Sequence, residues 1–98
     1  MNAMRYYLVC FDIQDNRYRR RLGKQLLAWG HRVQRSVFEI GLPNDSALKQ
    51  LLQQIETLQQ QHEEIGNIRF YRLLKPCRQA SFSLDGEQVM AYPSTLIV

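Results

Sequence analysis

Tyr6-Tyr7-Leu8-Val9-Cys10-Phe11, closed by Asp12 and followed after Ile13-Gln14 by Asp15-Asn16-Arg17-Tyr18-Arg19-Arg20-Arg21, is the stretch that decides the fold. Its first part is nearly continuous in apolar character. A strand over Arg5–Phe11 of that kind is buried on both faces, or has one face in a core and the other in a dimer. Asp15 or Asn16 is placed to cap the helix that follows. On that helix Tyr18, Leu22, Leu26 and Trp29 share one face, at spacings of four, four and three. Arg17, Arg20, Arg21 and Lys24 lie on the other side, with Arg19 at the border. Gly30 is placed to end the helix in the left-handed conformation.

Beyond it, Arg32–Leu42 reads as β, with Val33, Val37, Phe38 and Ile40. One bent strand or a tight hairpin near Gln34-Arg35-Ser36 both satisfy it. Pro43-Asn44-Asp45 opens a second helix, whose buried stripe is Leu48, Leu51, Leu52, Ile55, Leu58 and Ile65. Its glutamines form a solvated face, and Gly66-Asn67 ends it. Ile68–Leu74 is a further strand, interrupted by Pro76. Ala80, Phe82 and Leu84 alternate, Asp85-Gly86 signals a hairpin turn, and Glu87–Ala91 returns. Ser94–Val98 is apolar and β-prone, the kind of tail that pairs with another chain's sheet edge. The element order is β-α-β(β)-α-β plus a C-terminal β extension. It predicts a ferredoxin-like α+β sandwich with both helices on one face of an antiparallel sheet. The other face is left for a ligand or a second sheet.

The chain has 98 residues, the length of one domain, with a core at about 4–75 and the hairpin and tail at 76–98. A chain this short leaves much surface exposed, which favours a dimer. Residues 1–42 carry eight Lys/Arg against three Asp/Glu, whereas residues 43–66 carry one against four. Positive charge gathered on one part of a molecule favours a polyanionic partner, the plainer alternative being solubility. No apolar run reaches the ~18 residues that span a membrane. No signal peptide is visible, so the cytoplasm is the expected compartment. Cys10 and Cys77 form no CxxC pair, and no Gly-rich phosphate loop or dinucleotide fingerprint is present.

Three groups of residues carry candidate chemistry. Asp12, at a strand end, is a potential ligand for a hard cation such as Mg²⁺; a cap of the next turn, or a partner for Arg19, is the structural alternative. The run of arginines has one sign and no acidic partner one helical turn away, which favours phosphate contacts over a solvated face. Arg32 and Arg35 extend that basic track. Arg69 and Arg72 stand three apart on one strand and therefore point to opposite faces, so one of them is expected to join it. His31 sits at a helix end. His62 is placed on the apolar side of the second helix, as a partly buried, hydrogen-bonded residue. Ser36 lacks a His–Asp pair that would make it a nucleophile. Asp15 is read as a cap.

The stretch Leu8–Ile13, the arginines at 17–21, Gly30 and Arg32-Val33-Gln34-Arg35-Ser36-Val37-Phe38-Glu39 resemble the CRISPR-associated protein 2 family over about residues 4–75. By that resemblance the protein is a small homodimeric, metal-dependent endonuclease of the endoribonuclease type. It would act with the CRISPR integrase in spacer acquisition, as part of antiviral defence. The family's strand-one aspartate corresponds to Asp12, its helix-one arginines to Arg19 and Arg21, and its arginine before strand two to Arg32. Ser36 and Phe38 correspond to its serine and phenylalanine. Phe11 stands where the family commonly has tyrosine, which removes any hydroxyl role there. If Asp12 lies near a dimer axis it meets its symmetry mate, and a divalent ion between the two relieves their repulsion.

Three functions compete: a metal-dependent endonuclease, a non-catalytic dimeric DNA scaffold for the integrase, and an unrelated RNA-binding or regulatory domain of the same fold. Ile68-Arg69-Phe70-Tyr71 has aromatics but lacks the Lys/Arg-Gly-aromatic pattern of single-stranded-RNA modules. The nucleic acid expected at Arg17, Arg19, Arg20, Arg21, Lys24, Arg32 and Arg35 is DNA, single-stranded RNA or both.

Overall fold

The computed structural model describes residues 4–89. Its elements are β1 (Arg5–Asp12), α1 (Asn16–Leu27), β2 (Gly30–Gln34), β3 (Val37–Leu42), α2 (Asp45–Gln60), β4 (Asn67–Leu73) and α3 (Lys75–Ala80). The four strands form one antiparallel sheet in the order β2-β3-β1-β4. With one helix in each crossover, this is the ferredoxin-like α+β arrangement.

Pairing in the sheet fixes its two faces, because partners opposite one another and residues two apart share a face. Val9 opposes Phe38 on β3 and Phe70 on β4. These residues, with Phe11, Ile40 and Leu42, meet Tyr18, Leu22 and Leu26 of α1 and Leu51, Ile55 and Leu58 of α2 in the core. Tyr6, Leu8, Cys10 and Asp12 therefore face the other way, with Val37 and Glu39 of β3 and Asn67, Arg69 and Tyr71 of β4. The first strand thus places Val9 and Phe11 in the core and Leu8 and Cys10 on the opposite face.

The segment 32–42 is the hairpin rather than the bent strand, turning at Arg35-Ser36 with an irregular register between Arg32 and Gln34. Asn44 caps α2 by accepting from Ala47 N–H at 2.8 Å.

Four local expectations are corrected. Gly30 does not end α1; the helix stops at Leu27 with Ala28 in right-handed geometry. Gly30 instead lies in β2, where a Cβ would come within 1.9 Å of the Glu39 carbonyl oxygen, so a side chain has no room between the two backbones. Likewise His31 is in β2, 4.0 Å from the Glu39 carboxylate, not at a helix end. α2 closes at Gln60, short of Gly66-Asn67, and Ile65 is 74% exposed rather than part of the stripe. Leaving the helix there frees residues 62–66 to fold against the β1–α1 loop.

The C-terminal β extension is the fourth. Lys75–Ala80 is a helix, since Pro76 falls in its first turn, where a missing N–H costs nothing. Arg78 of α3 lies over the Tyr6 ring, 3.9 Å from its centroid. Asp85-Gly86 does form a turn, with Gly86 at φ 83° and its N–H donating to the Ser83 carbonyl at 3.1 Å. No strand flanks that turn among the described residues; instead, Phe82, Ser83, Asp85 and Val89 line a cavity on the free sheet face together with Leu8, Cys10, Val37 and Glu39. The expected tail pairing at Ser94–Val98 lies outside the described residues.

Candidate nucleic-acid interface and metal-ligating carboxylate

The β1–α1 loop is tied down from several directions. Asp15 caps α1, its Oδ1 accepting from Tyr18 N–H at 3.0 Å. That bond holds the Asp15 carboxyl below its ordinary pKa. Glu64 reaches across from the α2–β4 loop, and its two oxygens accept from Gln14 N–H and Asp15 N–H, each at 2.8 Å. The buried His62 ring stacks on Tyr18 with centroids 4.7 Å apart, and its Nδ1 is 3.8 Å from the Asp15 carboxylate. Tyr18 Oη donates to the Ile65 carbonyl at 3.2 Å, and burial raises the pKa of this phenol. Gly66, at φ 75°, closes the latch against Ile13.

Arg19 serves the same loop. It donates to the Ile13 carbonyl at 2.7 Å and to Asn16 Oδ1. It pairs with neither Asp12 nor Glu39. Asp12 is exposed at the end of β1, and no side-chain hydrogen bond or ion pair holds its carboxylate among the described residues. Asp15, not Asp12, is the cap. Asp12 is thus available to a ligand. Its surroundings are fixed on both sides: Phe11 N–H donates to the Ser36 carbonyl at 3.0 Å, and Asn67 of β4 lies opposite Asp12. Ser36 contributes through its backbone, in support of the strand end.

Most of the sequence-identified cations converge. Arg19, Arg20, Lys24, Arg32 and Arg35 line one groove of about 710 Å³ with His31 and Leu27. Gly23, Phe11 and Phe38 also line it, and the two Phe rings are stacked 5.9 Å apart. No acidic residue lines it. Phe38 is buried and serves as floor rather than platform. Arg17 stands exposed outside the groove. Arg21 turns towards α2, donating to Gln61 Oε1 at 3.1 Å, and lines a separate cleft with Lys24. Arg72 lies on the helix-side face of β4 and Arg69 on the free face, as their spacing requires. The groove includes neither.

As to a metal, no group of three or more His, Cys, Asp or Glu among the described residues is arranged to hold an ion. Mg²⁺ commonly takes one or two carboxylates, completing its shell with water and substrate phosphate. A single exposed, unpartnered Asp12 fits that mode but not an all-protein cage.

The model of the family described as CRISPR associated protein Cas2 matches residues 4–80. This chain belongs to the Cas2 family. A curated relative from Chloroflexus aurantiacus, named CRISPR-associated endoribonuclease Cas2 1, is 38% identical over 74 residues, 76% of this chain and 77% of its own length. Another from Synechocystis, CRISPR-associated endoribonuclease Cas2 2, is 33% identical over 95 residues, covering 97% of this chain and all of its own. Among solved structures, a chain of a partial Cas6-RT-Cas1–Cas2 complex superposes with a TM-score of 0.77 at 36% identity, covering 91% of this chain and 94% of that one. No helix among the described residues is long and apolar enough to cross a membrane.

Proposed function

We propose that this Cas2-family chain is a homodimeric endonuclease that hydrolyses phosphodiester bonds in a divalent-metal-dependent reaction. It acts in the cytoplasm with the CRISPR integrase in spacer acquisition. The observation that carries the reading is the exposed Asp12 carboxylate, which no side-chain hydrogen bond or ion pair holds among the described residues, in a chain that also gathers five Lys/Arg side chains in one groove floored by the neighbouring Phe11. The endoribonuclease names of the relatives support the activity, and the Cas1–Cas2 title of the structural neighbour supports the partner. The apolar residues on the free face of β1 support a second copy packing there.

Each residue has a part. Arg20, Lys24, Arg32 and Arg35 bind backbone phosphates, which positions nucleic acid without reading its bases. Arg19 and Glu64 hold the β1–α1 loop so that Asp12 stays at the strand end. Asp12, with its mate across the dimer, would hold Mg²⁺. When bound, such an ion polarises a phosphoryl oxygen and makes water at the site more acidic.

A non-catalytic scaffold has one observation in its favour: among the described residues no group of three or more His, Cys, Asp or Glu could hold a metal ion. Incubating purified protein with labelled single-stranded RNA or duplex DNA, in Mg²⁺ or in EDTA, separates the two. Cleavage in Mg²⁺ alone is expected. Binding with no cleavage of either substrate selects the scaffold. Sedimentation as a stable monomer at micromolar concentration contradicts the dimer.

A further inference from the structure

Asp12 has chemical company on its own face of the sheet. The β1–β4 register sets Asn67 opposite Asp12, Arg69 opposite Cys10 and Tyr71 opposite Leu8. All of these side chains share the free face. Asp12 and Arg69 are diagonal neighbours on an antiparallel pair, a separation that a long side chain bridges. Arg69 is also held in place. Its Nε donates to Asn67 Oδ1 at 3.1 Å, which turns the side chain towards the Asp12 end, and Nη1 donates to Tyr71 Oη at 3.2 Å. Nη2 has no partner among the described residues. Arg69 and Tyr71 are exposed in the single chain, and neither lines the cavity that Phe82 and Val89 share with Leu8, Cys10, Val37 and Glu39 on the same face. Two bonds that fix the plane of a guanidinium and leave one edge free are what phosphate recognition asks of an arginine.

We propose that Arg69, oriented by Asn67 and Tyr71, is a catalytic residue of the Asp12 site that grips a non-bridging oxygen of the scissile phosphodiester. This rests on the hydrolytic reading above. In the step it serves, a water oxygen forms a bond to phosphorus. The bond from phosphorus to the leaving sugar oxygen breaks, and its electron pair goes to that oxygen. The water gives up one proton and the leaving oxygen gains one through solvent, so the products are a phosphomonoester and an alcohol. Arg69 donates hydrogen bonds to the charge that builds on the phosphoryl oxygen and exchanges no proton. Substrate affinity stays with the groove, which Arg69 does not line.

The test compares wild type, Arg69→Ala, Arg69→Lys and Asp12→Asn on one single-stranded RNA. Removal of a preorganised donor lowers kcat by about 100-fold. Arg69→Ala should show that fall with little change in KM. Added guanidinium ion should restore part of its rate and none of Asp12→Asn, with Arg69→Lys in between. A readout independent of turnover is the Arg69 Nε–H resonance in EDTA, which should shift when the oligonucleotide is added. Full activity of Arg69→Ala beside an inactive Asp12→Asn overturns the proposal alone. So does an unmoved resonance, or a loss in Arg69→Ala that guanidinium leaves unrescued. An inactive wild type overturns the hydrolytic reading and this proposal with it, and an active Asp12→Asn overturns the assignment of Asp12 and the site that Arg69 is proposed to complete.

Discussion

Replacing Arg32 and Arg35 by alanine separates a built phosphate groove from a charged surface that only keeps the protein in solution. Five Lys/Arg side chains line the groove. Arg19 is committed to the Ile13 carbonyl and Asn16, which leaves Arg20, Lys24, Arg32 and Arg35 for phosphate. Each phosphate neutralised on duplex DNA contributes about 0.9 to the slope of log affinity against log salt. Four contacts give a slope of about −3.6 per groove engaged, and the double variant should fall to about −1.8. Fluorescence anisotropy of a labelled duplex across a salt series measures it. Arg17→Ala, which removes a cation outside the groove, is the control and should change the slope less. Both replaced side chains are exposed, so the unfolding midpoint should not move. A slope unchanged in the double variant, with the fold intact, would refute the groove as the binding surface.

Three further outcomes follow from local structure. Gly30→Ala forces a Cβ into the Glu39 carbonyl and should destabilise by about 3 kcal/mol, the upper range for overpacking, read by urea unfolding. Asn44→Ala loses the cap of α2 at a cost of about 1 kcal/mol in the same assay. The depressed Asp15 pKa, caused first by the Tyr18 N–H, contributes stability that is present above the unfolded carboxyl value. It is lost as pH falls through the folded value. Asp15→Asn should therefore flatten the acid limb of the stability–pH curve, and an unaltered limb would contradict the cap's role.

The fold was legible where periodicity and burial agree. The apolar run at 6–11 and the spacing of Tyr18, Leu22 and Leu26 identified the first strand and helix, and both helix caps fell on residues with capping side chains. It was misread where tertiary contact overrode a local signal. Gly30 carries a helix-end signal, yet its use is a close backbone approach to β3. Alternation at Ala80, Phe82 and Leu84 mimics a strand, yet Pro76 in a first turn starts a helix, and Phe82 and Leu84 after it are exposed. Within the site, Arg20, Lys24, Arg32 and Arg35 were visible as charge, but their convergence needed the β2–β3 hairpin to bring residues 32–35 beside α1. Glu64 was not legible as a site residue, and Arg69 was visible only as a candidate for the basic track, which it does not join. One acts through backbone amides fifty positions away, and the other joins Asp12 only through the β1–β4 register.

The most direct test of the account is Mg²⁺-dependent phosphodiester cleavage by purified Asp12→Asn beside wild type. The substitution keeps size and most hydrogen-bonding capacity while removing the charge that would hold the ion. Because the carboxylate makes no hydrogen bond or ion pair among the described residues, fold, dimer and nucleic-acid binding should persist. Cleavage abolished, with salt-dependent binding unchanged, is the predicted result. Cleavage by the mutant at the wild-type rate in Mg²⁺, and none in EDTA, would contradict the assignment of Asp12.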